Sequence, residues 1–107
     1  NVSITACEQR LAHPTMKYAG TLDKLASFDS SDWVLDVKAT AALSPVIGVQ
    51  LAGYEELAKD VQFKRRRAAV QLKPDGSYRL QEYTGKTDWP TFLSCLTIYK
   101  WRRSNEK

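Results

Sequence analysis

The stretch that decides the fold is residues 64–84, KRRRAAVQLKPDGSYRLQEYT. At its centre, Pro74-Asp75-Gly76 has the composition of a three-residue hairpin loop. Proline presets φ for a type I turn, and glycine accepts the left-handed conformation that closes the loop. Because alternating residues flank this loop on both sides, the stretch predicts a β-hairpin.

The predicted register sorts the side chains of this hairpin onto two faces, since side chains alternate across a strand. It sets Leu72 opposite Tyr78, Gln71 opposite Arg79, Val70 opposite Leu80 and Arg67 opposite Tyr83. One face is predicted to be dry and apolar: Ala68, Val70, Leu72, Tyr78 and Leu80. The other is predicted to be wet and cationic: Arg65, Arg67, Gln71, Lys73, Arg79, Gln81 and Tyr83. Glu82 falls on the apolar face, either as a rim position or because the register ends beyond Leu80.

The cationic face is a candidate surface for nucleic acid. Its four cations can neutralise phosphates, its strands carry no carboxylate on that side, and Tyr83 offers a ring for base stacking. The alternative is a solvated sheet face whose charges only keep the edge from aggregating.

Length and composition indicate one folded domain over residues 1–107. The chain is 43% hydrophobic and 26% charged, values that are ordinary for a globular protein. No apolar run approaches the roughly 20 residues of a membrane-spanning helix, so no membrane partner is expected.

The charge is divided unevenly along the chain. Residues 1–60 carry five Lys/Arg against eight Asp/Glu, a net −3, whereas residues 61–107 carry eleven against four, a net +7. This asymmetry predicts an acidic partner for the C-terminal half.

The remaining segments predict an α+β fold, with an antiparallel sheet of four or five strands and helices packed on one face. Residues 2–6 and 33–43 alternate as strands. Thr21 can cap a short helix with Leu22 and Leu25 on one side. Residues 45–51 are interpreted as a strand and residues 54–61 as a helix, because Gly48 and Gly53 disfavour one long helix. A single helix beginning at Ser44-Pro45 is the alternative.

The last segment is predicted to be a helix capped by Asp88, with a final strand over residues 96–101 as the alternative. It carries the second basic cluster. Cations that flank an aromatic ring suit single strands, whose bases stack on rings. The members of this cluster are Lys100, Trp101, Arg102 and Arg103.

Catalytic and metal motifs are absent from the sequence. The single histidine, His13, precedes a proline and has no evident partner for acid–base chemistry, and no CxxC, HExxH, EF-hand or Walker pattern occurs. We therefore expect no enzyme, no metal and no cofactor, although a small hydrolase assembled in three dimensions would leave no such pattern.

These observations predict a non-catalytic protein that binds single-stranded RNA or DNA. The alternative is a secreted or assembly-forming interaction protein, either an effector or a particle subunit, which pairs through its hairpin edge and forms a homo-oligomer. In that case Cys7 and Cys95 would form a disulfide. The sequence does not fix the compartment.

Overall fold

The computed structural model describes residues 3–59 and 64–105 and confirms an α+β fold with five strands and two helices. The first residue of the strand predicted over residues 2–6 lies outside the described ranges. So do the last two residues of the helix predicted over residues 54–61. The elements, in chain order, are β1 (Ser3–Ala12), β2 (Ala19–Phe28), β3 (Ser31–Lys38), α1 (Val46–Leu57), β4 (Arg66–Leu72), β5 (Tyr78–Tyr83) and α2 (Asp88–Asn105).

The five strands form one sheet in the order β1-β2-β3-β4-β5. Three neighbouring pairs are antiparallel, but β3 and β4 run parallel, with Trp33 opposite Arg66 and Lys38 opposite Gln71. The sheet is therefore mixed rather than wholly antiparallel. The physical reason is α1, which carries the chain across the sheet between β3 and β4, as parallel neighbours require.

One continuous helix occupies the segment predicted as strand plus helix, so that interpretation is wrong and the alternative is correct. The Ser44 hydroxyl accepts a hydrogen bond from the backbone N–H of Val46, and Pro45 precedes the first helical residue. The two glycines permit close packing rather than breaking the helix. A Cβ on Gly53 would lie 2.3 Å from a ring carbon of Phe92, and one on Gly48 would lie 2.7 Å from the ring of Tyr83.

The segment expected to be a short helix after Thr21 is strand β2. Leu22 and Leu25 are three residues apart, which suggested a helical face, and both do enter the same core cluster. Two residues separate them: Lys24, where the pairing of β2 with β3 ends, and Asp23, whose carboxylate accepts a hydrogen bond from the amide of Val37.

The hairpin register is confirmed throughout, from Leu72 opposite Tyr78 to Arg67 opposite Tyr83. The prediction of which face is dry is wrong. The main core lies between α1 and the face that carries Arg67, Ala69 and Gln71, so the helix covers the cationic side. Glu82 lies opposite Ala68 on the other side, where no helix packs.

We call the side of the sheet opposite α1 the open face. Around Trp33, side chains of the sheet itself cover the open face. Trp33 stacks on Phe28 and packs beside Leu35 and Ala68. Toward the hairpin it exposes large apolar side chains: Leu72 is 46%, Tyr78 70% and Leu80 39% exposed. The side predicted to be the core is therefore largely accessible at this end.

Candidate nucleic-acid interface

The run of three arginines that precedes and enters β4 is engaged within the molecule. Arg65 donates to the carbonyl of Ala58 at the end of α1. Arg66 donates twice to Glu82, at 2.5 and 2.7 Å, and its guanidinium lies 4.3 Å from the Trp33 ring centroid. This hydrogen bond lowers the pKa of the Glu82 carboxyl. Arg66 and Glu82 therefore stabilise the open face.

Arg67 joins α1 and α2 to the sheet. Its side chain is 12% exposed and lies 3.1 Å from the Asp88 carboxylate and 3.5 Å from that of Glu55. It also donates to the carbonyls of Gly48 and Gly85. A guanidinium with four internal acceptors is a structural group, so Arg65 and Arg67 are not assembled into the predicted surface.

The remaining predicted hairpin residues do come together. Lys73, Arg79 and Tyr83 line a cleft of about 580 Å³, which we call the hairpin cleft. Its opposite wall is the segment that leads into α1, including Leu43 and Pro45. Among the described residues, Lys73 and Arg79 have no carboxylate partner, and Arg79 donates only to the amide oxygen of Gln81.

Among the described residues, Asp88 is the carboxylate that lines the hairpin cleft, and it is bound by Arg67. Asp36, whose charge acts on Tyr83, pairs with Lys38 at 3.2 Å. The cations of the cleft therefore dominate its charge.

Tyr83 does not present the free ring that base stacking requires. Its ring packs beside Gly48, and burial raises the pKa of its hydroxyl. Exposed rings lie elsewhere, at Tyr78, Tyr99 and Trp101.

The C-terminal basic cluster lies on α2, which confirms the predicted helix over the alternative strand. Lys100 donates to the carbonyl of Met16, and the Arg103 guanidinium lies 5.9 Å from the Tyr99 ring centroid. Trp101 is 65% exposed. Lys100 lies 12 residues from the start of α2 at the hairpin cleft, about 18 Å along the helix axis. The two predicted basic groups are therefore separate surfaces.

A groove of about 820 Å³ runs between α2 and the turn that joins β1 to β2; we call it the α2 groove. Aromatic and apolar side chains form its floor, with Tyr18 and Phe92 in contact at 4.9 Å between ring centroids. Three cations line it, Lys17 on the turn and Lys100 and Arg103 on α2, and none of its lining residues in the described part of the chain is a carboxylate.

Lys17 and Tyr18 are functional candidates that the sequence did not reveal. They lie outside the basic half of the chain, and only the tertiary fold brings the β1–β2 turn against α2. The residue order Lys-Tyr beside His13-Pro14 is the one local signal, and it is too common to distinguish a site.

The β1–β2 turn is held in place by His13. Its Nδ1 accepts the amide protons of Thr15 and Met16, which leaves the proton on Nε2, 3.3 Å from the Glu56 carboxylate. Both ring nitrogens are thus used in structure.

Tyr18 anchors the same turn to α1 by donating to the carbonyl of Gly53 at 2.8 Å. Burial and the nearby Glu56 raise the pKa of Tyr18 to about 12. The wall of the α2 groove formed by this turn is therefore fixed before any ligand binds.

Cys7 and Cys95 are free and exposed, so the structure contains no Cys7–Cys95 disulfide. Within residues 3–59 and 64–105, no three potential ligand side chains converge to form a metal site. In the same residues, no helix has the length and apolarity to span a membrane.

The chain matches no protein-family model and no curated protein.

Proposed function

We propose that this chain is a non-catalytic nucleic-acid-binding protein that holds single-stranded RNA or DNA in the α2 groove. The observation that carries this proposal is the lining of the groove, which joins three cations to aromatic rings and, over residues 3–59 and 64–105, contains no carboxylate. Phosphates attract Lys and Arg, and unpaired bases stack on aromatic rings, so a single strand satisfies both kinds of side chain.

A single strand fits this lining better than a duplex does. Paired bases are hidden in a duplex, and stacking on the exposed ring of Tyr99 requires bases that are splayed out. The aromatic rings lie at the floor of the groove and the cations at its rim. A single strand that enters the groove with its bases inward and its phosphates outward therefore meets both.

The hairpin cations supply a second contact. Lys73 and Arg79 lack carboxylate partners in the described part of the chain, so they can bind phosphate without first breaking an ion pair. Lys73 and Arg79 lie near the first residue of α2, whereas Lys100 and Arg103 of the α2 groove lie toward its last residue. A strand that reaches both the hairpin cleft and the α2 groove must therefore extend past the helix.

The test is fluorescence anisotropy with labelled single-stranded RNA and DNA and with a duplex, at roughly 50 and 200 mM salt. We expect the single strands to bind more tightly than the duplex. With three groove cations neutralising phosphates, log K should fall with log salt at a slope of about −2. In K100E/R103E, affinity should fall at least about tenfold and the slope should become shallower by one or more.

The matched control is R10E/K86E, which changes net charge equally at exposed sites outside the α2 groove. This variant should bind nearly as the parent does. If both double variants weaken binding alike, the attraction is only to net charge, and the assignment to the groove is wrong. Absence of binding by the parent at low salt rejects nucleic-acid binding.

We propose self-association as a second candidate function, through the apolar end of the open face. Its basis is the exposure of Leu72, Tyr78 and Leu80 beside one another on β4 and β5, where no helix covers them. An apolar surface is complementary to its own copy, so a twofold dimer can bury it. The binding surfaces described above lie on the other face and would remain free.

A further inference from the structure

We propose that the hairpin cleft binds one nucleotide, with phosphate held by Lys73 and Arg79 and an N–H donor of the base held by Gln71. This extends the proposed function from attraction of phosphates to recognition of a complete nucleotide. It rests on that function only insofar as the nucleotide is a unit of the bound strand. The cleft volume of about 580 Å³ is within the ordinary range for small-ligand sites.

Gln71 is the residue that distinguishes this cleft from a simple basic surface. It is 6% exposed, and its amide nitrogen donates to the carbonyls of Thr40 and Ala41 at 2.9 and 3.1 Å. Two carbonyl acceptors can be satisfied only by the NH2 group, so the orientation of the amide is determined.

The fixed orientation leaves the amide oxygen of Gln71 without a donor in the described part of the chain. Gln71 lines the hairpin cleft, so this oxygen is an acceptor available to a ligand there. Among the described residues no unpartnered side-chain oxygen is fully buried, so this oxygen is open to the cleft and a ligand N–H can donate to it. Inorganic phosphate can offer only an O–H on one of its own oxygens, whereas every nucleobase carries an N–H donor apart from the phosphate.

The two walls of the cleft differ in a way that suits the two ends of a nucleotide. The strand wall carries Gln71, Lys73 and Arg79, and the opposite wall is formed by apolar side chains of Ala42, Leu43 and Pro45. Lys73 follows Gln71 by two strand positions, about 7 Å, and Arg79 pairs directly with Gln71 across the hairpin. A base can therefore contact the apolar wall and Gln71 while its phosphate reaches the two cations.

The test is a titration with adenosine 5′-monophosphate, adenosine and inorganic phosphate, followed by NMR at the side-chain amide of Gln71. We expect the monophosphate to bind with a dissociation constant on the order of 1 mM or tighter. Adenosine and phosphate should each bind at least about tenfold more weakly, because each contacts only one end of the cleft.

Two variants make the test specific to the hairpin cleft. K73Q/R79Q removes the phosphate contacts and should weaken the monophosphate about tenfold or more. Ala42→Trp fills the cleft from its exposed wall and should abolish binding with the thermal midpoint little changed. R10Q/K86Q, which removes two exposed cations outside both the hairpin cleft and the α2 groove, should bind the monophosphate as the parent does.

Competition with an unlabelled single strand identifies the source of the nucleotide. Displacement of the monophosphate shows that the cleft takes a unit of the strand, and simultaneous binding shows that it takes a free nucleotide. The proposal is overturned if the NMR signal of the Gln71 side-chain amide does not shift when the monophosphate is added. It is also overturned if K73Q/R79Q and Ala42→Trp bind the monophosphate as tightly as the parent does. A protein that binds the strand through the α2 groove but ignores the monophosphate would retain the proposed function and lose only this inference.

Discussion

Two arginines of one hairpin face have opposite roles, and their position relative to α1 decides which role each takes. Arg67 lies under the helix, where Asp88 and Glu55 surround it. Arg79 lies beyond the helix and donates only to Gln81. Equal charge on one face of a strand therefore does not mean equal availability to a ligand.

This difference predicts opposite results for matched substitutions. Arg67→Met should lower the free energy of unfolding by about 2 kcal/mol, because it leaves two part-buried carboxylates without their partner. Arg79→Met should change it by less than about 0.5 kcal/mol, as is usual for exposed positions. Urea denaturation of both variants measures the difference. Equal midpoints would show that Arg67 is not the structural group that its contacts indicate.

At the residue scale the sequence located the cations but not their function. Lys73 and Arg79 were predicted to lie on one surface and do line one cleft. Arg65 and Arg67 were predicted to lie there too, but Arg65 is engaged by Ala58 at the end of α1, and Arg67 by Asp88, 21 residues further along the chain. Partners of this kind are set by tertiary packing, so local alternation cannot reveal them.

At the scale of elements, α1 depends on its glycines for contact with its neighbours. Gly53 faces Phe92 of α2, and the ring of Phe92 is itself held between Trp89 and Tyr18. The ring therefore has little freedom to move aside for a larger residue. This contact fixes the position of α2, and with it one wall of the α2 groove.

Gly53→Ala should therefore destabilise the protein by roughly 1–3 kcal/mol, although alanine favours helix formation by about 1 kcal/mol. Thermal unfolding measures the change, and loss of strand affinity should accompany it. In the double variant with Phe92→Ala the overlap is removed, so the two effects should be less than additive. A more stable Gly53→Ala protein would mean that α1 and α2 are not closely packed.

The elements differ in how well the sequence predicted them. The hairpin was predicted to the residue, because Pro74, Asp75 and Gly76 fix a local turn. The boundary and type of α1 were not, because its glycines serve contacts made across more than 30 residues of chain. Strand β2 was mistaken for a helix because Leu22 and Leu25, which are three residues apart, both enter one core cluster.

At the scale of the whole molecule, the sheet has one covered and one open face. Helix α1 packs on β2, β3 and β4, and α2 packs on α1, so neither helix covers Tyr78 or Leu80. The alternation of the hairpin predicted two unlike faces, but it gave no information on which one the crossover helix would cover. That choice follows from the path of the chain between β3 and β4.

Self-association through the open face predicts a sedimentation coefficient that increases with protein concentration. Leu72→Lys/Leu80→Lys should keep the protein monomeric, since charged groups would have to be desolvated in the dimer interface. Ile98→Lys, at an equally exposed apolar position on α2, is the matched control and should associate as the parent does. A parent that stays monomeric at all concentrations contradicts this second function.

The parallel pair of β3 and β4 has a consequence for the order of folding. Each antiparallel pair joins two strands that a turn connects. In the parallel pair, Trp33 and Arg66 meet across 33 residues. Closing so long a loop costs more conformational entropy than closing a hairpin. The β1–β3 meander and the β4–β5 hairpin can therefore form early as separate units, and the late event is their union when α1 docks. That same event covers Arg67 and forms the hairpin cleft, so the proposed nucleotide site arises only with the complete native state.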